Sequence, residues 1–312
     1  MVVRSLTEST RVTFPRGDTT GQSSILLVAP IPASPGNVAI VAEETPFHPV
    51  DSTWPDQPGD VGTLETGGTQ FAVIDTLTAA LELGSAVLHF GAAIPARRGA
   101  PGWLFLVAHV VDIPTGVQIH ELGGDVLLRV DPHRRARLSA SHSACHLAAL
   151  ALNKASREYW RKVPRRDSLG NPDFDQLTIE ESRITLTHSL DRYRLGKSIR
   201  KSGLDTASLR DNLPGLAASA NAYLADWLSN DDSIWITSDA ATLDAPRFWH
   251  CLLPDGEAVL PCGGTHLNSI RAFKDISVSF DDASDPNEIQ MKTIRTLSSP
   301  TDTLIHDPSG AH

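Results

Sequence analysis

The chain has 312 residues, 41% of them hydrophobic and 21% charged, with a formal net charge of −10. This length can bury a core in one large domain or two smaller ones, and the negative charge argues against non-specific coating of nucleic acid. Three cysteines do not make a closed disulfide framework. The first residues lack the apolar core of a signal peptide, and no apolar run approaches the roughly 18–20 residues that span a bilayer. We therefore expect a cytoplasmic protein with no membrane partner.

The first part of the chain, residues 11–130, has the pattern of β-structure. Short apolar runs such as SILLVAP, NVAIVAEE and WLFLVAHVVDI are separated by Gly, Pro and Asp, which is typical of a small barrel or sandwich. The stretch DTLTAALELG, residues 75–84, predicts a helical turn or short helix. Residues 50–68 are dense in turn residues and predict an exposed loop.

The pattern changes near Pro132. Residues 137–162 are rich in Ala and Leu without Gly or Pro, which predicts a helix of some six turns that Ser139 or Ser141 caps or begins. A second helix is predicted at 213–230. The remaining predicted elements are strands at 182–190, 232–239, 247–253, 273–280 and 290–297. We expect domains at 1–131 and 132–298, with 299–312 as a disordered tail.

Charge is unevenly distributed along the chain. Residues 133–201 contain 15 Lys and Arg against 7 Asp and Glu. This stretch is either a solvated helical face or a surface that attracts phosphate, and the sequence leaves both interpretations open.

Two pairs of potential metal ligands share the same spacing. His142 and His146 are four residues apart on the predicted helix, so they project side by side. Alone, this pair is more often structural than functional, since it lacks the glutamate of HExxH. Cys262 and His266 flank Gly-Gly-Thr in PCGGTH, where glycines allow a sharp turn and thiolate with imidazole favours zinc. A single Zn²⁺ bound by all four is the economical interpretation.

These residues carry a family resemblance. HxxxH on a helix, followed far downstream by CGGTH, is similar to the metal-site pattern of the alanyl-tRNA editing family. TPFHP at 45–49 resembles the family's Thr-x-Phe-Tyr-Pro, and QPGDVG at 57–62 resembles its Gln-Pro-x-Asp-x-Gly. The likeness covers roughly residues 10–295. Because no aminoacylation motifs are evident, the chain resembles the stand-alone deacylases that act in trans.

The resemblance implies a fold and a reaction. The expected fold is α/β (or α+β), with a β-rich, barrel-like N-terminal domain packed on an editing-type domain. The implied reaction is zinc-dependent, ATP-independent hydrolysis of the ester that joins a wrongly attached serine or glycine to tRNA for alanine, so tRNA is an expected partner. Four protein ligands would close the zinc shell. We therefore expect one ligand to be distant or exchangeable.

Other residues match the family's motifs. The resemblance implies a catalytic or sorting role for Thr45 and assigns Gln57 and Thr265 to the same catalytic group, while each also fits a purely structural role. A substrate-binding group comprises Trp54, Asp60, Arg134 and Arg135. The arginines suit RNA phosphate but also suit a structural role.

The chain departs from the family in the loop before Gln57. The family's Gly-Gly-Gly-Gln stretch is replaced by VDSTWPDQ, and His48 replaces the motif tyrosine. Trp54 offers a surface for stacking on a base or closes part of a cleft. The lost glycines and the acidic charge motivate an alternative function, a zinc hydrolase of a small-molecule ester or amide. A third interpretation is a binding module in which zinc is structural.

Overall fold

The computed structural model describes residues 2–3, 6–32, 34, 36–85, 87–113, 122–162, 164–230, 233–282 and 285–298. The strands in chain order are β1 Val2–Val3, β2 Arg11–Val12, β3 Thr20–Pro30, β4 Asn37–Ala42, β5 Glu44–Thr45, β6 Gly62–Thr66, β7 Thr69–Glu82, β8 Leu88–Phe90, β9 Trp103–Asp112, β10 Gly124–Val130, β11 Ile179–Ile184, β12 His188–Arg194, β13 Ile234–Ser238, β14 Arg247–Leu253, β15 Gly256–Pro261, β16 Phe273–Asp282 and β17 Glu288–Leu297. The α-helices are α1 Pro132–Ala155, α2 Phe174–Thr178, α3 Lys197–Ser202, α4 Thr206–Asp211 and α5 Leu213–Leu228. The fold is mixed α+β and rich in strands. In the part of the chain described, no helix is long and apolar enough to cross a membrane.

The chain divides into two compact units. The first comprises Met1–Arg135, Ile236–Arg247 and Gly263–Thr265, and the second comprises the rest of the chain. Each unit therefore draws on several separate stretches of sequence. The predicted tail at 299–312 lies outside the described residues.

The first unit contains a ring of six antiparallel strands. The strand order is β3-β10-β6-β7-β9-β4, and β4 pairs again with β3, which closes the ring. Closure gives each of these six strands a paired neighbour on both sides, so backbone groups within the described registers find partners in the sheet. The barrel-like character expected from the spaced apolar runs is confirmed.

Several barrel strands are buried on both faces. Along β9, Phe105 and Val107 belong to one apolar cluster, and Leu104, Leu106 and Ala108 belong to a second. Successive side chains of a strand point to opposite faces, so two clusters require apolar residues at every position. This explains why β4 and β9 read as continuous apolar runs rather than as alternating ones.

The helical turn predicted at 75–84 is wrong. This segment belongs to β7, where it pairs with β9 from Val73↔Val111 to Glu82↔Trp103. The stretch is rich in Ala and Leu, which favours a helix locally. Burial against two neighbouring strands outweighs that preference, which is worth less than about 1 kcal/mol per residue.

The exposed loop predicted at 50–68 is also wrong in its second half. Gln57 and Asp60 are 1% exposed, and β6 begins at Gly62. The glycines of QPGDVG allow this burial, because a Cβ added at Gly59 would lie 2.2 Å from the Thr76 carbonyl oxygen. The turn-rich composition therefore reflects close backbone contact rather than exposure.

Helix α1 begins earlier than the sequence predicts. The carboxylate of Asp131 accepts hydrogen bonds from the backbone N–H groups of His133 and Arg134, at 3.0 Å each, and so caps the first turn. Ser139 and Ser141 therefore lie inside the helix, and the prediction that they cap or begin it is wrong. The helix is buried on almost all sides, which fits its lack of a polar face.

The second unit is built around a four-stranded antiparallel sheet in the order β11-β12-β17-β16. The strand predicted at 182–190 is two strands, since β11 and β12 pair as a hairpin. Helix α5, predicted at 213–230, is confirmed. Its Asn221 side chain bonds both the N–H and the carbonyl of Val278, at 2.7 and 3.0 Å, and so satisfies the backbone of an edge strand.

A buried carboxyl lies under this sheet. Asp191 on β12 is 1% exposed and accepts hydrogen bonds from the hydroxyls of Ser182 and Ser189, at 2.6 and 3.0 Å. The Cys145 thiol of α1 lies 3.5 Å from the same carboxyl. Burial raises the pKa of Asp191 to about 7, because these neutral donors only partly offset the lost hydration.

A second acid lies near the first. Asp175 on α2 accepts a hydrogen bond from the Tyr193 hydroxyl at 3.1 Å, and burial raises its pKa to about 6. Burial also raises the pKa of Tyr193 well above its usual value. The two acids repel each other when both are ionised, so this part of the unit favours protonated carboxyls.

We expect stability to depend on these acids. A folded-state pKa above the ordinary 3.8 means that stabilisation is fully present below about pH 4 and is lost as the pH rises through 6 and 7. Asp191→Asn should therefore raise the melting temperature at pH 8, on the order of a few degrees, and flatten its fall between pH 5.5 and 8. The control is Asp281→Asn, an exposed position on β16. An unchanged pH profile for Asp191→Asn would show that Asp191 does not titrate in this range.

Candidate metal centre

Four side chains of the second unit form a cluster that can hold a metal ion. The donor atoms of His142, His146, Cys262 and His266 all lie within 4.8 Å of one another. Cys262 Sγ lies 3.5 Å from His142 Nε2 and 3.2 Å from His266 Nε2. Ligands on a tetrahedral ion with bonds of roughly 2.0–2.3 Å are about 3.3–3.8 Å apart, so these two separations are close to those of such a centre, whereas the 4.8 Å span of the whole set is wider. None of the four donors is distant.

Helix α1 sets the relation between the first two ligands. His142 and His146 lie one turn apart on the same face, with ring centroids separated by 4.7 Å. The His266 ring stacks on His146 at 5.0 Å and lies 4.4 Å from His142. The three imidazoles therefore share one small space, although the third comes from 120 residues further along the chain.

One ligand atom lacks a hydrogen-bond partner. His146 Nε2 is buried without a donor or acceptor in reach. Burial also lowers the pKa of His146 to about 4, so the ring is neutral at pH 7 and offers a lone pair. A buried polar atom without a partner is costly, and a metal–nitrogen bond would satisfy it. The donor set and this orphaned nitrogen therefore fit a bound metal.

The hairpin of β14 and β15 brings Cys262 and a tryptophan to the cluster. Cys262 follows directly after β15. Trp249 of β14 is fully buried, and its ring lies 5.1 Å from His146 and 6.0 Å from His266. The indole shields one side of the imidazoles from water, which strengthens electrostatic interactions there.

Ser143 orients the third imidazole. Its Oγ lies 3.2 Å from His266 Nδ1 and accepts a hydrogen bond from the Leu267 backbone N–H at 3.1 Å. With Nε2 directed at the cluster, a neutral His266 carries its hydrogen on Nδ1 and donates it to the serine. Such an outer hydrogen bond fixes the tautomer and orientation of a metal-ligating histidine.

In the first unit, Gln57 holds the turn that leads to His266. Its Nε2 donates to Thr265 Oγ1 at 2.9 Å, and its Oε1 accepts from the Thr265 backbone N–H at 3.1 Å. Both residues are buried. This two-point contact fixes the conformation of the residue just before a ligand, so the structure gives Gln57 and Thr265 a positioning contact.

Thr45 is buried and bonded to a histidine. His109 Nδ1 lies 2.7 Å from the Ile40 carbonyl oxygen and therefore carries the hydrogen, so Nε2 accepts from the Thr45 hydroxyl at 2.8 Å. The Phe47 N–H donates to the same hydroxyl at 3.1 Å. Burial lowers the pKa of His109 to about 4, which keeps the ring neutral. The structure thus orients the Thr45 hydroxyl inside the unit.

Asp60 and Arg135 form a buried ion pair. Arg135 Nε donates to both carboxylate oxygens at 3.0 and 3.1 Å, Nη2 bonds Asp60 and the Pro46 carbonyl, and the His48 N–H donates to Asp60 at 2.6 Å. Arg134 donates to the Gly59 carbonyl at 2.6 Å. Arg135 is only 5% exposed, so its guanidinium serves the loop rather than the surface.

Trp54 remains at the surface. Its side chain is 38% exposed, and its backbone N–H donates to Asp51. His48, the replacement for the motif tyrosine, is buried, and burial lowers its pKa to about 4. The two departures from the motif therefore have opposite environments, one solvent-facing and one inside the unit.

The sequence alone did not indicate several residues at the metal cluster and around the loop that carries Trp54. Ser143 lies between the two helical ligands, where the local signal was the serine-rich SASHSACH. Trp249 gave only the signal of an apolar strand. Arg98 lies in the turn-like PARRGAP, where no local signal indicates the ion pair that it forms with Asp51.

The fold and the cluster define an α+β protein with a candidate His₃Cys metal site. No protein-family model matches the chain. Alanine–tRNA ligase of Bordetella pertussis is 33% identical over 252 residues, covering 77% of this chain and 22% of the ligase. The ligases of Anaeromyxobacter dehalogenans and Rhodopseudomonas palustris are 32% and 30% identical over 137 and 135 residues, covering 44% and 43% of this chain and 12% of each ligase.

The chain is homologous to a segment of alanine–tRNA ligase, which confirms its resemblance to the alanyl-tRNA editing family. It spans about a fifth of the length of the Bordetella relative, 22%.

We expect the cluster to bind one metal ion per chain. Cys262→Ser and His146→Ala should each reduce the bound metal by at least about tenfold, since each removes one of the few protein donors. Elemental analysis after dialysis against a weak chelator measures this. His250→Ala is the matched control, a histidine of β14 outside the cluster. Equal metal content in the parent protein and the three variants would contradict the assignment of this cluster as a metal site.

A second expectation concerns the orientation of His266. Ser143→Ala should weaken metal affinity by roughly 10–100-fold, because His266 loses the partner that fixes its ring. Competition with a chromophoric chelator gives the affinity. Ser141→Ala is a close control, since that buried hydroxyl of the same helix has no hydrogen-bond partner. If both variants bind metal like the parent, Ser143 does not support the ligand.

Proposed function

We propose that the chain is a zinc-dependent hydrolase that removes a wrongly attached serine or glycine from tRNA for alanine. The observation that carries this proposal is the cluster of three imidazoles and one thiol in a chain homologous to alanine–tRNA ligase. Because the homology covers 22% of the Bordetella ligase, the ligase reaction itself is not part of the proposal.

The donor set supports zinc as the ion. Thiolate is a soft ligand, and imidazole is borderline, a combination that favours zinc over magnesium or calcium. When bound, zinc is a Lewis acid that polarises a carbonyl oxygen and lowers the pKa of water to about 7, which suits hydrolysis of an activated ester. His142, His146, Cys262 and His266 would hold it. For reaction, one of these donors must exchange or the coordination must expand.

The remaining residues support the site by position. Gln57 holds Thr265, and Ser143 holds His266, so both contacts would keep the last ligand oriented. The Thr45 hydroxyl is buried, donates its hydrogen to His109 and accepts from the Phe47 N–H, so a sorting role requires that a substrate side chain reach its remaining lone pair. A fixed hydroxyl discriminates between serine, glycine and alanine better than a rotating one, because no entropy is lost on binding.

The alternative function keeps the metal chemistry and changes the substrate. The loop before Gln57 carries Trp54, Pro55 and Asp56 where the family has glycines, and the added carboxylate of Asp56 repels phosphate. A small-molecule ester or amide would then be hydrolysed. Salt dependence separates the two functions, since RNA binding weakens steeply with salt and binding of an uncharged ester does not.

The proposal predicts deacylation of seryl- and glycyl-tRNA for alanine, with alanyl-tRNA hydrolysed more slowly. His142→Ala should lower the rate at least about a hundredfold, because the metal contribution is worth several kcal/mol. The release of labelled amino acid from tRNA is the measurement, and His250→Ala is the control that should retain activity. Hydrolysis that His142→Ala leaves unchanged would refute the assigned site.

A further inference from the structure

A single carboxylate organises the loop that replaces the family's glycines. Asp51 Oδ1 accepts hydrogen bonds from the Thr53 N–H and hydroxyl, at 2.7 and 2.8 Å, and from the Trp54 N–H at 3.0 Å. Asp51 Oδ2 forms an ion pair with Arg98 Nη2 at 2.5 Å. We call these four residues the Asp51 cluster. The cluster fixes the backbone of Trp54, whose indole is exposed. It also fixes one edge of the Arg98 guanidinium.

The cluster holds its carboxylate charged. Burial alone would raise the pKa of Asp51, but the attraction of Arg98 and the bonds from Thr53 and Trp54 outweigh it, so the pKa lies below its usual value. The side chains of Asp51 and Arg98 are still 25% and 28% exposed. The pair is therefore ordered but reachable from solvent.

Arg98 also lies against the glycine turn. A Cβ added at Gly263 would lie 3.3 Å from Arg98 Nη1, and Gly263 does not have a positive φ. The guanidinium therefore lies close to this glycine, and a Cβ here would have to displace it by a few tenths of an ångström. Gly263 follows Cys262 directly in the sequence, so Arg98 touches the turn that separates the two later ligands.

The charge of Arg98 acts on a second guanidinium of the same unit. Arg247 is 5% exposed, and its Nη atoms donate to the carbonyls of Leu243 and Thr242, while its Nε has no hydrogen-bond partner. Burial and then the charge of Arg98 lower the pKa of Arg247 to about 10, and Asp244 opposes this. The positive charges of Arg98 and Arg247 therefore repel each other, and an anion bound by Arg98 would offset that repulsion.

We propose that Arg98 and Trp54, held by Asp51, form a subsite for the 3′-terminal nucleotide of an RNA substrate. The guanidinium binds a phosphodiester oxygen, and the indole stacks on the neighbouring base. Nη2 is used by Asp51, so the phosphate approaches the remaining edge of the planar fork. The subsite rests on the proposed function, since it presumes an acylated RNA.

The subsite also accounts for the altered loop. Glycines would let a backbone approach the nucleotide, whereas this loop offers an ordered aromatic side chain. Arg134 and Arg135 do not fill this role, because both guanidinium groups donate to backbone or carboxylate groups of the first unit. Arg98 is a cation of the same unit that keeps a solvent-facing side.

The test is the salt dependence of RNA binding. The probe is an acceptor-stem RNA hairpin that carries no amino acid and has a single-stranded 3′ end. It is titrated with metal-loaded protein, and binding is measured by fluorescence anisotropy at several KCl concentrations. Arg98→Gln should weaken binding about tenfold and reduce the slope of log K against log salt by about 0.7, the value for one contact to single-stranded phosphate. Trp54→Ala should weaken binding about tenfold with the slope unchanged.

Two further variants make the test specific. Arg129→Gln is the matched control, because Arg129 forms an exposed ion pair with Glu65 in the same unit, and its slope should equal the parent's. Arg98→Lys keeps the charge and should restore the slope while binding more weakly than the parent, and it serves if Arg98→Gln does not fold. Metal content is measured for every variant.

The outcomes separate this subsite from the proposed function. Deacylation by the parent, together with an unchanged slope in Arg98→Gln, would overturn the subsite alone and leave Arg98 as support for the turn. RNA binding with the expected slopes but no hydrolysis of any aminoacyl-tRNA would overturn the function and leave an RNA-binding subsite. Absence of RNA binding by the parent would overturn the subsite, and absence of both RNA binding and deacylation would overturn the subsite and the function.

Discussion

The rigidity of one buried helix is the constraint on which the metal cluster depends. His142 and His146 keep their relation because α1 is a continuous helix in a packed environment, in which its own residues Leu138, Leu147 and Leu150 are fully buried. The two later donors come from a hairpin and a glycine turn, which have more freedom than a helix. Cys262 and His266 must therefore be positioned relative to the helix. The additional hydrogen bonds, between Ser143 and His266 and between Gln57 and Thr265, support this less rigid pair of ligands.

That auxiliary support explains why a motif far from the ligands is needed. Gln57 reaches Thr265 across 208 residues of sequence and makes two hydrogen bonds with it. Gln57 is itself fixed because the next residues are locked, Gly59 by close contact with β7 and Asp60 by Arg135. A buried ion pair of this kind adds little net stability but leaves few alternative arrangements for the loop. The QPGDVG motif therefore holds the turn before His266 in place.

The sequence predicts some parts of this molecule better than others, for physical reasons. The cluster was predictable because ligand chemistry is local, since a thiol and three imidazoles at fixed spacings have few other uses. Helix α5 and strand β14 were predictable from periodic burial. The segment at 75–84 was not, because Ala and Leu favour a helix until two neighbouring strands bury them. The loop at 50–68 was not, because its glycines serve close packing rather than exposed turns.

The distribution of charge is another feature that the sequence alone does not predict. The basic stretch at 133–201 suggested either a solvated face or a phosphate-attracting surface. Among the described residues of this stretch, at least seven of the 15 basic side chains form ion pairs, several with acids from outside the stretch, such as Lys154 with Asp255, Arg161 with Asp205 and Arg192 with Glu288. In the folded chain, acidic side chains from other stretches lie beside several of these basic residues. They offset much of the excess positive charge that the sequence shows at 133–201. An acidic protein of this kind attracts RNA weakly at long range, so any recognition must come from a few cations in fixed positions. Arg98 meets that requirement because Asp51 orders it without covering it.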